Sequence, residues 1–269
     1  MKHYLKNIMA VCFLMLMFPC TLTLLINGKQ GIHREEQLSD VDYKILYELM
    51  QEDISWMEDG TLELLAILLR TECMRVGKVS DGEIKSVSPY EDLYERAYEA
   101  VWNTRGQVVV IDGEYRELPY HAVSAGKTRE GTLLGEEYSY VRSVDCPEDL
   151  RSGAYLKICY LSKEELKNVL GTDIFSGTPG IKRDEEEYVT EVTGAESTWP
   201  GEQIRTILHL PSSCFWTEVQ EDRVRFTVKG VGHGFGISLY MANQLILNGT
   251  DKEDIFQMFY QDAECITIP

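Results

Sequence analysis

Two stretches of this chain carry side chains whose type and spacing suit chemistry on a polar substrate. Near the C-terminus the sequence reads Lys229-Gly230-Val231-Gly232-His233-Gly234-Phe235-Gly236-Ile237-Ser238. Alternate residues of an extended chain point to the same side. The alternating glycines therefore leave one side bare, open to a ligand or to another stretch of backbone. His233 is the large polar group there, and a helix begins near Tyr240. The arrangement suits the floor of a groove, and equally a tight turn beneath a packed helix.

The second stretch is Leu64-Leu65-Ala66-Ile67-Leu68-Leu69-Arg70-Thr71-Glu72. A carboxyl at the end of an apolar helix can be partly desolvated, which disfavours its ionised form. A carboxyl that keeps its proton near neutral pH can act as a general acid in glycosidic cleavage. The alternative is a solvated glutamate in the last helical turn, ion-paired to Arg70 or Arg75. Between these stretches, Ser124, Lys127 and Thr128 offer hydroxyls and an ammonium suited to sugar hydroxyls, or form a polar hairpin end. Ser124 has no partners in a recognisable nucleophile motif. Trp102, Trp199, Phe215, Trp216 and Tyr240 are candidates for stacking on sugar rings, or for the core.

The elements that position these residues follow from periodicity. Leu62, Leu65, Ala66, Leu69 and Cys73 share one helical face after an Asp59-Gly60-Thr61 start. Tyr90 to Trp102 reads as a second amphipathic helix. Val108 to Ile111, turned by Asp112-Gly113, predicts a hairpin continuing into Tyr120 to Val123. A short helix is expected near Lys163 to Leu170, and a strand or hairpin over Thr217 to Val228 turning at Glu221-Asp222. The fold class is α+β, a single mixed domain over 57–269.

Upstream, Lys2 and Lys6 precede an apolar run from Ile8 to Ile26, close to the ~20 residues that cross a bilayer as a helix. The expectation is a signal anchor over 1–29, a juxtamembrane helical stalk over 30–56, and the domain on the extracytoplasmic side. Net charge is −18 over 269 residues, which argues against nucleic acid and gives no pull towards anionic lipid. A glycan ligand would be held by hydrogen bonds and aromatic contact. Of seven cysteines, five follow the apolar run; Cys146 and Cys159 are the best-placed pair for a disulfide in an oxidising compartment. No C-x-x-C pair occurs, and the sequence calls for neither a metal site nor a cofactor.

The glycine stretch resembles the G-x-G-x-G-H-G-x-G-M-S-Q-x-G-A signature of the family of stage II sporulation protein D. Ile255 to Tyr260 is similar to that family's closing I-L-x-x-Y-Y helix. Pro200 to Arg205 with Leu208 to Ser213 resembles its G-x-x-I-R-x-x-L-x-L-x-S segment. Thr104 to Val108 and Ser124 to Thr128 resemble its T-x-G-Q-V and S-x-G-G-x-T motifs, and Leu65 to Met74 its V-x-G-V-V-A-x-E-M motif. The resemblance implies a membrane-anchored lytic transglycosylase that cuts peptidoglycan glycan strands during endospore engulfment. In that reading Glu72 is both acid and base, and Ser124, Lys127, Thr128, His233, Gly234 and Ser238 bind substrate. It also implies a cell-wall amidase resembling stage II sporulation protein P, and a membrane partner. Two departures point instead to a silent glycan-binding scaffold that recruits or stimulates an amidase. The helical region after Met74 is shortened, and Leu239 and Met241 stand where the family has glutamine and glycine.

Overall fold

The computed structural model describes residues 38–77, 92–194 and 197–268. The expected anchor over 8–26, and the shortened region between Arg75 and Pro89, fall largely outside them. Among the described residues no helix is long and apolar enough to cross a membrane.

From Asp40 onward the chain is a mixed α/β unit. Its centre is α2 (Asp59–Val76). The sequence suggests one apolar face, but Leu62, Leu64, Leu65, Ala66, Ile67 and Leu68 are all buried. A helix apolar on all sides must be surrounded, and α1 (Asp40–Leu49), α3 (Asp92–Asn103) and β1 (Gln107–Ile111) surround it. Gly77 ends α2 in the left-handed conformation, φ 62°, with its N–H on the Cys73 carbonyl.

Residues 40–56 pack into this body, whereas the sequence reads them as part of a stalk. Ile45, Leu46 and Leu49 of α1 are fully buried, as are Ile54 and Met57 behind it. Asp42 pairs with Arg70 of α2 at 2.9 Å. That guanidinium also donates to the carbonyls of Val101, Thr104 and Gln107, so it ties α1, α2 and the entry to β1 together.

The expected hairpin after β1 does not form. Asp112 and Gly113 do make a tight turn, both with positive φ, but it closes only the Ile111–Glu114 bridge. The ladder partner of β1 is β10 (Ala263–Thr267), antiparallel from Gln107↔Thr267 to Ile111↔Ala263. The return limb after the turn lacks period-2 alternation and contains Pro119, which has no N–H to donate. β2 (Tyr120–His121) instead runs parallel to β9 (Ile237–Ser238).

The second half holds β3 (Leu156–Ser162), α4 (Lys163–Leu170), β4 (Gly180–Arg183), β5 (Val189–Thr193), β6 (Thr198–Pro200) and α5 (Gly201–Ile207). It continues with β7 (Phe215–Val219), β8 (Arg223–Lys229), α6 (Leu239–Leu247) and α7 (Lys252–Phe259). One sheet is ordered β3-β8-β7 and the other β4-β5-β6. Between them lies an apolar cluster including Leu166, Val192, Ile204, Phe215 and Phe226. The β7–β8 hairpin and α4 lie where periodicity places them, and Ser162 with Glu165 forms a full capping box on α4.

The described cysteines are all free thiols, so the expected Cys146–Cys159 bridge is absent. The buried Cys146 thiol donates to the Val144 carbonyl at 3.5 Å, while Cys159 packs against the inter-sheet cluster.

Candidate functional site

The glycine stretch is a crossing point for the chain itself. Gly230, Gly232, Gly234 and Gly236 all have positive φ, from 65° to 111°. A Cβ on Gly232 would sit 2.6 Å from the His121 Cβ, one on Gly234 would sit 2.4 Å from the Tyr188 ring, and one on Gly236 only 1.8 Å from the Pro119 carbonyl. Of the alternatives the spacing leaves open, the bare sides serve close approach by residues 119–125 and Tyr188. Gly236→Ala combines a left-handed backbone with that carbonyl clash. It should cost about 2–5 kcal/mol of stability, read as a lowered urea midpoint.

His233 sits inside this crossing. Its Nδ1 accepts the Phe235 N–H at 3.1 Å, and the ring donates to the Tyr120 carbonyl. Burial lowers its pKa. Its ring centroid is 5.7 Å from that of His121, whose pKa burial pushes down to about 3. Both imidazoles are therefore neutral at ordinary pH. Beside them Arg129, which sequence reading missed, makes a buried pair with Asp184 at 2.7 Å and donates to the His233 carbonyl at 3.3 Å. Its guanidinium lies 4.3 Å from the Phe235 ring centroid and 3.6 Å from Glu202 of α5.

Ser124 and Ser238 converge on one buried carboxylate, Asp149. The Ser124 N–H donates to Asp149 Oδ2 at 2.8 Å and the Ser238 hydroxyl at 2.7 Å. None of the three has any exposed surface. Ser238 Oγ also caps α6 by accepting the Met241 N–H. Thr128 is likewise consumed internally, accepting from the Val144 N–H and donating to the Arg142 carbonyl. Lys127 is half-exposed beside Glu186 at 3.5 Å. Asp149 lies in a short 3₁₀ turn after Cys146-Pro147, with no motif around it to single it out.

Burial raises the Asp149 carboxyl above the ordinary aspartate value, opposed by the bonds from Ser124 and Ser238. A raised carboxyl holds its proton more tightly folded than unfolded. Its stabilising contribution is therefore present below the unfolded-state value and lost as pH rises through the folded-state value. Asp149→Asn keeps an acceptor for both serines, so it should fold and lack this downward slope when melting is compared across acidic pH. Asp149→Leu leaves the Ser124 N–H and Ser238 O–H unpaired and should cost about 1–3 kcal/mol for each.

Glu72 lies in the last turns of α2 with its side chain 46% exposed. Both carboxylate oxygens accept from Arg75, each at 2.7 Å, in a bidentate fork. That bond holds the Arg75 guanidinium more firmly charged. The partial desolvation expected from sequence is thus modest, and Arg75 rather than Arg70 is the partner. Arg75 also reaches Glu117 at 4.0 Å, which accepts the Tyr138 hydroxyl at 2.7 Å. The half-buried Tyr120 phenol is pushed up to about 12, first by desolvation and then by Glu52, Glu48 and Glu72.

The candidate stacking aromatics are largely engaged elsewhere. Phe215 and Trp199 belong to the inter-sheet cluster, Tyr240 lies against Trp56, and Arg105 covers Trp102 at 3.1 Å. Among the described residues, no group of three or more His, Cys, Asp or Glu side chains is arranged to hold a metal ion.

No protein-family model matches this chain. It is 26% identical over 209 residues to stage II sporulation protein D of Bacillus subtilis (strain 168), covering 72% of this chain and 58% of that protein. It is 27% identical over 187 residues to stage II sporulation protein D of Bacillus amyloliquefaciens, covering 66% of this chain and 53% of that one. The chain thus spans a little over half the length of these curated relatives. With this similarity the chain is related, at 26–27% identity, to stage II sporulation protein D.

Proposed function

We propose that this protein remodels cell-wall glycan in sporulation, as a membrane-anchored lytic transglycosylase with Glu72 as its acid and base. The supporting observation is the position of Glu72. The carboxyl stands 46% exposed in the last turns of an otherwise buried helix, with Arg75 and then Glu117 between it and the Tyr138 hydroxyl. An exposed carboxyl carried on a rigid, packed helix suits a sugar strand. In the reaction, Glu72 protonates the glycosidic oxygen as the bond to the anomeric carbon breaks and positive charge builds there. The sugar's own 6-hydroxyl then attacks, and Glu72 takes back its proton, leaving a 1,6-anhydro end. One carboxyl serves both steps, so no second glycosidase acid is needed. The Arg75 fork must open for Glu72 to carry the proton, and Glu117 offers the guanidinium an alternative seat.

A second reading, the silent scaffold that recruits an amidase, also has specific support. Ser124, Thr128 and Ser238 are spent on internal bonds, and both Glu72 oxygens are taken by Arg75. The deciding experiment incubates the full chain with peptide-free glycan strands and analyses the products by mass spectrometry. Anhydro-muramyl ends support the enzyme. Sedimentation with glycan but no cleavage supports the scaffold.

A further inference from the structure

The solvent face of the β3-β8-β7 sheet departs from the usual apolar-in, polar-out alternation. Its inner face, with Val224, Phe226 and Val228, is buried. On the outer face of β3, Leu156, Ile158 and Tyr160 stand in line, 54%, 45% and 52% exposed. The register places Leu156 opposite Lys229, Tyr160 opposite Arg225 and Ser162 opposite Arg223. A row of apolar side chains therefore runs about 5 Å from a strand face carrying three cations, with the neutral Thr227 opposite Ile158.

The cations on this face exceed its acids. Arg225 is paired with Glu218 at 3.2 Å, and Lys229 with Glu187 at 3.6 Å. Arg223 has its guanidinium 4.9 Å from the Tyr160 ring centroid and bonds the neutral Gln220. The Nε of Arg225 is buried and has no acceptor among the described residues. In a chain of net charge −18, such a face is a local reversal of sign. β3 is also an edge strand, bonded only to β8 among the described strands. Natural proteins usually blunt or cover exposed apolar edges of this kind.

We propose that this face docks an acidic amphipathic helix from a partner protein, its apolar stripe on Leu156, Ile158 and Tyr160 and its carboxylates over Arg223, Arg225 and Lys229. The span from Leu156 to Tyr160 is about 13 Å, the length of about nine helical residues. A helix is about 10 Å across and so covers two adjacent strands. Charge selects this occupant over the alternatives. An anionic membrane is extended and meets the repulsion of the whole molecule, and a second copy carries the same −18. A short acidic helix meets mainly the local face, because screening confines the field to about 10 Å.

The test uses the full chain and a labelled synthetic amphipathic peptide of about four turns, with leucines on one face and glutamates flanking them. Fluorescence anisotropy should show binding that weakens as salt is raised. A matched peptide with lysine for glutamate should bind roughly tenfold weaker or worse. Ile158→Asn and Arg223→Glu change exposed side chains, so their melting should match wild type while each lowers affinity by about tenfold. Several results would overturn the proposal: no binding of the acidic peptide, equal binding of both peptides, or indifference to both variants. Tighter binding to phosphatidylglycerol vesicles than to the peptide, or self-association abolished by Ile158→Asn, would overturn it too. None of these outcomes depends on Glu72 cleaving glycan.

Discussion

Glu72→Gln will leave the protein folded and able to bind glycan, while formation of anhydro ends falls by about 10²–10⁴-fold. The amide is nearly isosteric and can still accept from Arg75 through its carbonyl. Its NH₂ group faces the other guanidinium nitrogen, so one bond of the fork is lost. That loss costs little, because the pair is on the surface, with the two side chains 34% and 46% exposed. What glutamine cannot do is deliver and recover a proton. Melting curves, sedimentation with peptide-free glycan and product analysis separate the effects. Cleavage by the glutamine variant at the wild-type rate would remove Glu72 from the mechanism. Loss of melting temperature and cleavage together would mark the residue as structural.

Arg70→Met will have the largest effect on stability, about 3–5 kcal/mol. The arginine side chain is 2% exposed, and burial pulls its pKa down against the partly restoring pull of Asp42. Methionine fills much of the volume but removes the cation beside Asp42 and the donors to the Val101, Thr104 and Gln107 carbonyls. Adding Asp42→Leu should recover only part of the loss, because those carbonyls remain without the guanidinium. Urea unfolding of the single and double variants checks this. A single-variant loss under about 1 kcal/mol, the scale of one ordinary hydrogen bond, would show the cluster is not a keystone. Because Arg70 clamps the last turns of α2 to the entry of β1, the same variant should also blur the position of Glu72.

Local chemistry was readable from residues alone. The helix over 163–170 and the 215–229 hairpin rest on apolar spacing, a capping box and a turn, all within a few residues of each other. The choice of Arg75 over Arg70 as the Glu72 partner follows from helix geometry as well. Residues three apart are neighbours on a helix surface and residues two apart are not. The glycine motif likewise announced a close approach, and the family resemblance followed from the order of short motifs.

Tertiary structure decided what approaches. Spacing cannot distinguish a ligand from Pro119, His121 and Tyr188, because a bare glycine face is the same to either. Nor could it join Ser124 to Ser238 through Asp149, since each makes its bond to a residue far along the chain. The pairing of β1 with β10 spans most of the domain. Such contacts depend on how separate elements close on one core, and no local period or composition encodes that closure.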